Sequence, residues 1–228
     1  MSASSSAVRG ATSGRSGEFE GIELLGGRLR DERVARGIGV RELARLVDCS
    51  ASLISQIERG RANPSVSTLY AISNALGISL DALFGAETTS APAPAPAAER
   101  QVPRRPRTGA LSSVVLRAPD RRVINLERGV QWQLLMPVPE HNAEFMEVTY
   151  APGGGSTADD HAIRHNGREY SLVLEGTLSL ELGFERFALG PGDSMAFDST
   201  IPHRLWNEGN VPVRAVWFVV DRWSTPAP

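Results

Sequence analysis

Lysine is absent from this sequence of 228 residues, and cysteine occurs once. All 24 basic side chains are therefore arginine. Arginine favours flat, bidentate contacts to phosphate and guanine. A GC-rich coding bias explains the uniform choice more simply, so no function is read from it. The lone Cys49 excludes an internal disulfide and agrees with a reducing cytoplasm. Long hydrophobic runs are missing too: none reaches the ~20 residues of a membrane helix, and the N-terminus lacks the apolar stretch of a secretory signal. A strong charge excess is also missing. The net charge of −2 excludes a polycation that coats nucleic acid without selectivity. Together these absences predict a cytoplasmic protein without membrane association.

What is present is unevenly placed. Residues 21–85 carry a formal charge of +1, residues 86–110 carry +2 and residues 111–228 carry −5. The chain length suits two domains, and the punctuation divides it. Residues 1–20 are rich in Ser, Ala and Gly and read as a disordered tail. Residues 21–85 show helical periodicity. Residues 86–110, with Ala91-Pro-Ala-Pro-Ala-Pro96 and Arg104-Arg105-Pro106-Arg107, read as an extended polyproline-type linker. From residue 111 to 224 the period changes to two, and residues 225–228 are a short tail. The expected class is multidomain, α followed by β.

Five short helices are expected in front. The first spans about Leu24 to Arg36, with Leu25, Leu29 and Val34 facing inward, and ends at Gly37. The second begins after Gly39. The third is capped by Ser50 and left at Gly60. The fourth runs from Val66 to Leu76 behind Pro64-Ser65 and ends at Gly77. A last turn covers 80–84. Asp48-Cys49-Ser50 is too little chain for anything but a tight turn between helices two and three, with Asp48 in the left-handed region. The polar face of the third helix carries Ala51, Ser52, Ser55, Gln56 and Arg59. That face fits a DNA major groove.

Behind the linker, ten apolar runs of strand length are separated by Gly- and Pro-rich turns, as in an all-β barrel or double-sheet roll. They include Val114–Leu116, Val123–Leu126, Phe145–Tyr150, Tyr170–Leu174, His203–Trp206 and Val213–Val220.

Several motifs carry family resemblances. Arg41-Glu-Leu-Ala44, Ser52-Leu-Ile-Ser-Gln-Ile-Glu-Arg-Gly-Arg61, Pro64-Ser65 and Leu76-Gly-Ile-Ser-Leu80 together resemble the xenobiotic-response-element type of the lambda-repressor-like helix-turn-helix family. The resemblance implies a five-helix domain whose third helix reads base edges through Ala51, Ser52, Ser55 and Gln56. Gln56 suits adenine and Ala51 a thymine methyl. Arg41, Ser50, Arg59 and Arg61 would lie near phosphates, fixing register without reading sequence. Arg33 and Glu58 occupy positions where family members pair. Asp48 and Gly39 depart from the usual turn Gly and Ser/Thr cap.

His165-Asn-Gly-Arg-Glu169, Leu174-Glu-Gly176, Gly190-Pro-Gly-Asp193 and Pro202-His203-Arg-Leu-Trp-Asn207 resemble the cupin family, which implies a double-stranded β-helix barrel. The family's first motif carries two His one residue apart, and Ile163 stands at the first of these positions. His165, Glu169 and His203 remain. Two His and a carboxylate form the facial set known from Fe(II) oxygenases. The three residues are candidates either for a divalent metal (Fe, Zn, Mn or Ni) or for a polar effector pocket. His161 and His141 are expected on surface loops.

The resemblances imply a transcription regulator rather than an enzyme. It would be a homodimer on a palindromic operator in double-stranded DNA, with the cupin sensing a small-molecule effector. Coupling between the halves is expected through dimer geometry or domain docking. The alternative is an Fe(II)-dependent cupin oxygenase using His165, Glu169 and His203, because hydroxypropylphosphonate epoxidases also join a helix-turn-helix-like domain to a cupin.

Overall fold

In the computed structural model, residues 15–78, 83, 114–138, 140, 142–157 and 161–220 are described. Among the described residues, four helices form the front domain: α1 Arg15–Ala35, α2 Val40–Leu46, α3 Ala51–Glu58 and α4 Val66–Leu76. The expected fifth turn, 80–84, lies outside the described residues except for Leu83, which is helical and buried. Helix α1 starts at Arg15, inside the stretch expected to be a disordered tail. No proline interrupts this stretch. Leu25 and Leu29 are buried as expected, whereas Val34 is 58% exposed. Val34 lies in the last turn, one residue past the buried Arg33, so helical rotation carries it away from the core.

The turns follow local chemistry. Asp48 takes φ 50, and Gly37, Gly60 and Gly77 take positive φ where three of the helices end. The Ser50 hydroxyl accepts the Leu53 amide at 3.1 Å, and the Ser65 hydroxyl accepts the Thr68 amide at 3.1 Å. Gly39, as expected of its missing side chain, caps α2 without a side-chain bond. Gly26 has another role. A Cβ there would sit 2.2 Å from the Ile57 carbonyl oxygen, so its absence allows α1 to cross tightly over the end of α3.

Among the described residues, nine strands form the back domain: β1 Val123–Leu126, β2 Val130–Leu134, β3 Ala143–Tyr150, β4 Arg168–Glu175, β5 Leu178–Leu182, β6 Glu185–Leu189, β7 Ser194–Asp198, β8 His203–Trp206 and β9 Val213–Val220. They make an antiparallel six-stranded sheet in the order β1-β2-β3-β9-β4-β7 and an antiparallel three-stranded sheet, β6-β5-β8. The closed barrel expected from sequence is therefore two sheets over one core among the described residues. The strands at the sheet edges are only four or five residues long, too short to carry the pairing round into a ring. Val114–Leu116 is not a strand; Val114 and Val115 are 65% and 54% exposed. A run of three residues offers no alternation to bury on a sheet face.

Alternation sets what faces inward. On β9, Val213, Ala215, Trp217 and Val219 are buried; on β3, Met146, Val148 and Tyr150; on β4, Glu169, Ser171 and Val173. The two domains are not independent bodies on a linker. Their buried apolar residues join into one continuous cluster, α1 lies against β1, and the Glu127 amide donates to the Pro64 carbonyl at 2.9 Å. Among the described residues, no helix is long and apolar enough to cross a membrane.

Candidate functional site

Helix α3 is anchored by Ile54 and Ile57, each 1% exposed, on its inner side. Its end is clamped by charge. Arg33 donates from Nε and Nη2 to the two Glu58 oxygens at 2.6 and 2.9 Å, and from Nη1 to the Ile38 carbonyl at 2.8 Å. The expected pairing is present, and it is bidentate and buried. The hydrogen bond that Arg33 donates to Glu58 raises the guanidinium pKa above its ordinary value and outweighs the opposing effect of burial. Both the first and third helices are thus fixed to one rigid unit.

On the outer side, Ser52 and Gln56 are exposed and Ala51 and Ser55 half-buried. Arg41, Ser50, Arg59 and Arg61 are all exposed. Seven of the eight residues lie along α3 and its two flanks, and Arg41 stands at the start of α2. Cys49, beside the turn, is half-buried. Burial and then the neighbouring Asp48 push its thiol pKa up, so it is a poor nucleophile.

The second site lies inside the β domain. His165 is presented by the loop before β4, where its amide donates to the Ser199 carbonyl at 3.0 Å. Glu169 comes from β4 and His203 from the first position of β8, which bridges to Ile163. All three are buried, at 6%, 3% and 0% exposure. His165 Nε2 lies 2.9 Å and His203 Nε2 lies 3.2 Å from Glu169 Oε1. The ligand-capable atoms of the three lie within 4.8 Å of one another. Sequence spacing thus brought together the right three residues. His161 is exposed, and His141 lies outside the described residues.

The surroundings decide what this cluster can bind. Nδ1 of His165 faces the Asn166 carbonyl, and Nδ1 of His203 faces the Ile201 carbonyl, each at 2.9 Å. A carbonyl only accepts, so both Nδ1 atoms carry a proton, and Nε2 of each ring is the atom turned inward on Glu169. His165 Nε2, His203 Nε2 and Glu169 Oε1 are buried without a directed hydrogen bond. With Nε2 of both rings deprotonated, the three atoms form a donor set for a cation, and backbone carbonyls orienting the far ring nitrogens is how metal-binding imidazoles are held. Glu169 Oε2 accepts the Trp217 indole N–H at 2.7 Å. Burial opposes the Glu169 charge, but the two imidazoles more than offset it and hold its carboxyl well below the usual carboxylate range. Burial, reinforced by Glu169, pushes the Tyr150 phenol far up, so it stays protonated.

Sequence reasoning missed Trp217, Tyr150 and Trp132 as pocket walls, and missed Val66 and Tyr70, which reach the pocket from α4. Trp217 had a signal: it shares inward parity with Val213, Ala215 and Val219, and a buried indole N–H needs an acceptor. Tyr70 had none, because an aromatic on an amphipathic helix reads as core of its own domain.

Comparison with known proteins agrees with this division. Residues 29–83 match the helix-turn-helix family and residues 146–219 the cupin-domain family. The first span contains α3, and the second contains His165, Glu169 and His203. The HTH-type transcriptional regulator PuuR of Escherichia coli is 29% identical over 183 residues, covering 80% of this chain and 86% of PuuR. The immunity repressor protein of Bacillus phage phi105 is 42% identical over 64 residues, 28% of this chain and 44% of the repressor. The crystal structure of an HTH_3 family transcriptional regulator from Vibrio cholerae is 18% identical and covers 89% of this chain and 98% of that one, with a TM-score of 0.59. It shares the overall fold. The chain thus joins a helix-turn-helix domain to a C-terminal cupin domain and is homologous to the PuuR-type regulators.

Proposed function

We propose that the protein is a cytoplasmic homodimer that binds a palindromic operator through α3 and answers to a small occupant of its cupin pocket. The observation that carries this reading is the state of α3. It is locked from behind by Ile54, Ile57 and the Arg33–Glu58 clamp, yet leaves Ser52, Gln56 and the flanking arginines to solvent. A helix kept only for packing has no need of such a face. Ala51, Ser52, Ser55 and Gln56 read base edges, while Arg41, Ser50, Arg59 and Arg61 fix register on phosphates.

Four small reading side chains discriminate poorly in one copy, so a second copy is required. The outer face of the six-stranded sheet supports one. Phe145, Tyr170, Leu172 and Phe218 stand side by side there at 36–42% exposure, on adjacent strands β3, β9 and β4. Phe145 and Phe218 make an edge-to-face contact at 6.0 Å. Such a patch is what a twofold interface buries. Two reading helices would then address half-sites about 34 Å apart.

His165, Glu169 and His203 fit a divalent metal, which they would hold through Nε2, Oε1 and Nε2. A bound cation would supply Lewis acidity and anchor an anionic or lone-pair-bearing ligand. The same triad supports a second reading, an Fe(II)-dependent oxygenase. The regulator is favoured because the named relatives are regulators and because an enzyme has no use for the face of α3.

Selection of binding sites from a randomised duplex library tests the proposal. The expected result is an inverted repeat with half-site centres about one helical turn apart. Recovery of unrelated sequences with no shared motif would sink it.

A further inference from the structure

Helix α4 belongs to the helix-turn-helix domain, but one of its faces lies on the cupin pocket. Its buried positions cover more than one side. Leu69, Ile72 and Leu76 face one way, and Val66 and Tyr70 lie along the adjoining edge. Val66 and Tyr70 are 4% and 7% exposed and line the pocket with Trp132, Ile163 and Trp217. The Tyr70 ring sits over the His165 imidazole at 4.6 Å between centroids and 33° between planes. It also meets Trp132 at 5.4 Å. Just before α4, the Pro64 carbonyl accepts the Glu127 amide at 2.9 Å, pinning the start of the helix to the β domain.

The space left in the pocket decides what this arrangement allows. About 20 Å³ is open to the centres of water molecules there. One water needs roughly 10–15 Å³ by that measure, so the docked pocket takes a water or an ion and nothing larger. The cupin strands that wall most of the remaining sides are hydrogen-bonded into the sheets, and Ser156 and Ile163, between β3 and β4, donate their amides to the Leu205 and His203 carbonyls of β8. Helix α4 is not built into either sheet; it meets the pocket through the Tyr70 ring contacts, apolar packing and, at its start, the Pro64–Glu127 backbone hydrogen bond, and it is the side that can give way.

We propose that α4 is the lid of the cupin pocket and Tyr70 its plug, so that an organic occupant of the pocket and the docked helix-turn-helix domain exclude one another. This deepens the regulator reading above and rests on it for its biological meaning, though not for its geometry. The reading helix then senses the pocket directly. An occupant larger than a water displaces Tyr70 from His165, breaks the Pro64–Glu127 bond and releases α4 with the domain built on it. By linkage, the occupant's binding is weakened by the docking energy, and docking is weakened equally by the occupant. Ions that fit within the triad leave the lid in place.

The Glu127 amide reports docking, because its partner lies in the other domain. Its hydrogen exchange is followed in the full-length protein and in Tyr70→Ala and Tyr70→Phe, with imidazole as the probe. Imidazole exceeds the docked cavity, and its occupancy is read from the ring resonances of His165 and His203. Tyr70→Ala is expected to raise Glu127 exchange at least tenfold and to bind imidazole at least tenfold more tightly than the parent. Tyr70→Phe, which keeps the ring, is expected to match the parent in both. In the parent, imidazole occupancy is expected to rise in step with Glu127 exchange, or to be undetectable where Tyr70→Ala binds.

Exchange of Val148 and Val219, both in the sheet, must stay unchanged, which separates undocking from unfolding. An occupied parent pocket with Glu127 still protected overturns the lid. So does Tyr70→Ala that leaves both readouts unmoved, or that raises Val148 and Val219 exchange as much as Glu127. Failure to bind any DNA site, measured separately on the same preparations, would remove the regulator reading and leave the lid standing.

Discussion

Replacing Glu58 with Gln tests whether the reading helix is held by a buried charge pair. The parent pair makes two charge-assisted hydrogen bonds, at 2.6 and 2.9 Å, with side-chain exposures of 10% and 7%. Removing one partner of a buried pair strands the other charge and typically costs about 3–5 kcal/mol. Arg33 keeps its bond to the Ile38 carbonyl, and Gln can still accept one hydrogen bond, so the expected loss is about 3 kcal/mol. A domain of roughly 55 residues has about 3–8 kcal/mol to lose. Glu58→Gln should therefore leave α3 partly unfolded or mobile at ambient temperature.

The composition supplies two separate probes for this test. Every tryptophan, at 132, 206, 217 and 223, lies behind the linker, so fluorescence follows the β domain while far-UV helical ellipticity follows the front. In a urea titration, the ellipticity midpoint of Glu58→Gln should fall well ahead of the fluorescence midpoint. The double variant Arg33→Met/Glu58→Leu should recover most of the loss, because apolar replacements leave no stranded charge. A loss under about 1 kcal/mol, as exposed pairs show, would refute the clamp. A double variant as weak as the single one would refute it equally.

Other predictions follow from the same residues. Gly26→Ala places a Cβ against the Ile57 carbonyl and should lower stability by about 1–3 kcal/mol, seen as an earlier ellipticity midpoint with fluorescence little changed. Gln56→Ala should lose roughly 1–3 kcal/mol at one base pair of each half-site, whereas Arg59→Ala should weaken all sequences alike and flatten the salt dependence; binding assays on single-base operator variants distinguish the two. His165→Ala removes one of three donors, so elemental analysis after equilibration with Zn²⁺ should show near-stoichiometric metal in the parent and at least tenfold weaker retention in the variant.

Much of the fold is legible in the chain because local signals agree. Ser50, Ser65, Gly37, Gly60 and Gly77 each end or begin a helix for a reason visible in one residue type. Alternation on β3, β4 and β9 places Val148, Glu169 and Trp217 inward without any long-range information. The triad was legible through the cupin resemblance, which singled out His165, Glu169 and His203, and the shared parity of His165 and Glu169 agreed with it. What was not legible is what the chain does across the Pro-rich linker. Docking brings Tyr70 onto His165 across 95 positions of sequence, and no periodicity records such a contact. The early start of α1 was hidden for a different reason, since Ser and Gly dilute the sequence pattern there. The openness of the sheets was hidden because strand length, not strand pattern, decides closure.

The most direct test of the central claim is a footprint of the purified protein on the DNA upstream of its own coding sequence, at low and at moderate salt. The account predicts a protected inverted repeat at both, weaker at moderate salt because arginine–phosphate contacts are screened, and lost in Gln56→Ala/Arg59→Ala. No protection at low salt, where the electrostatic share of binding is greatest, would contradict it.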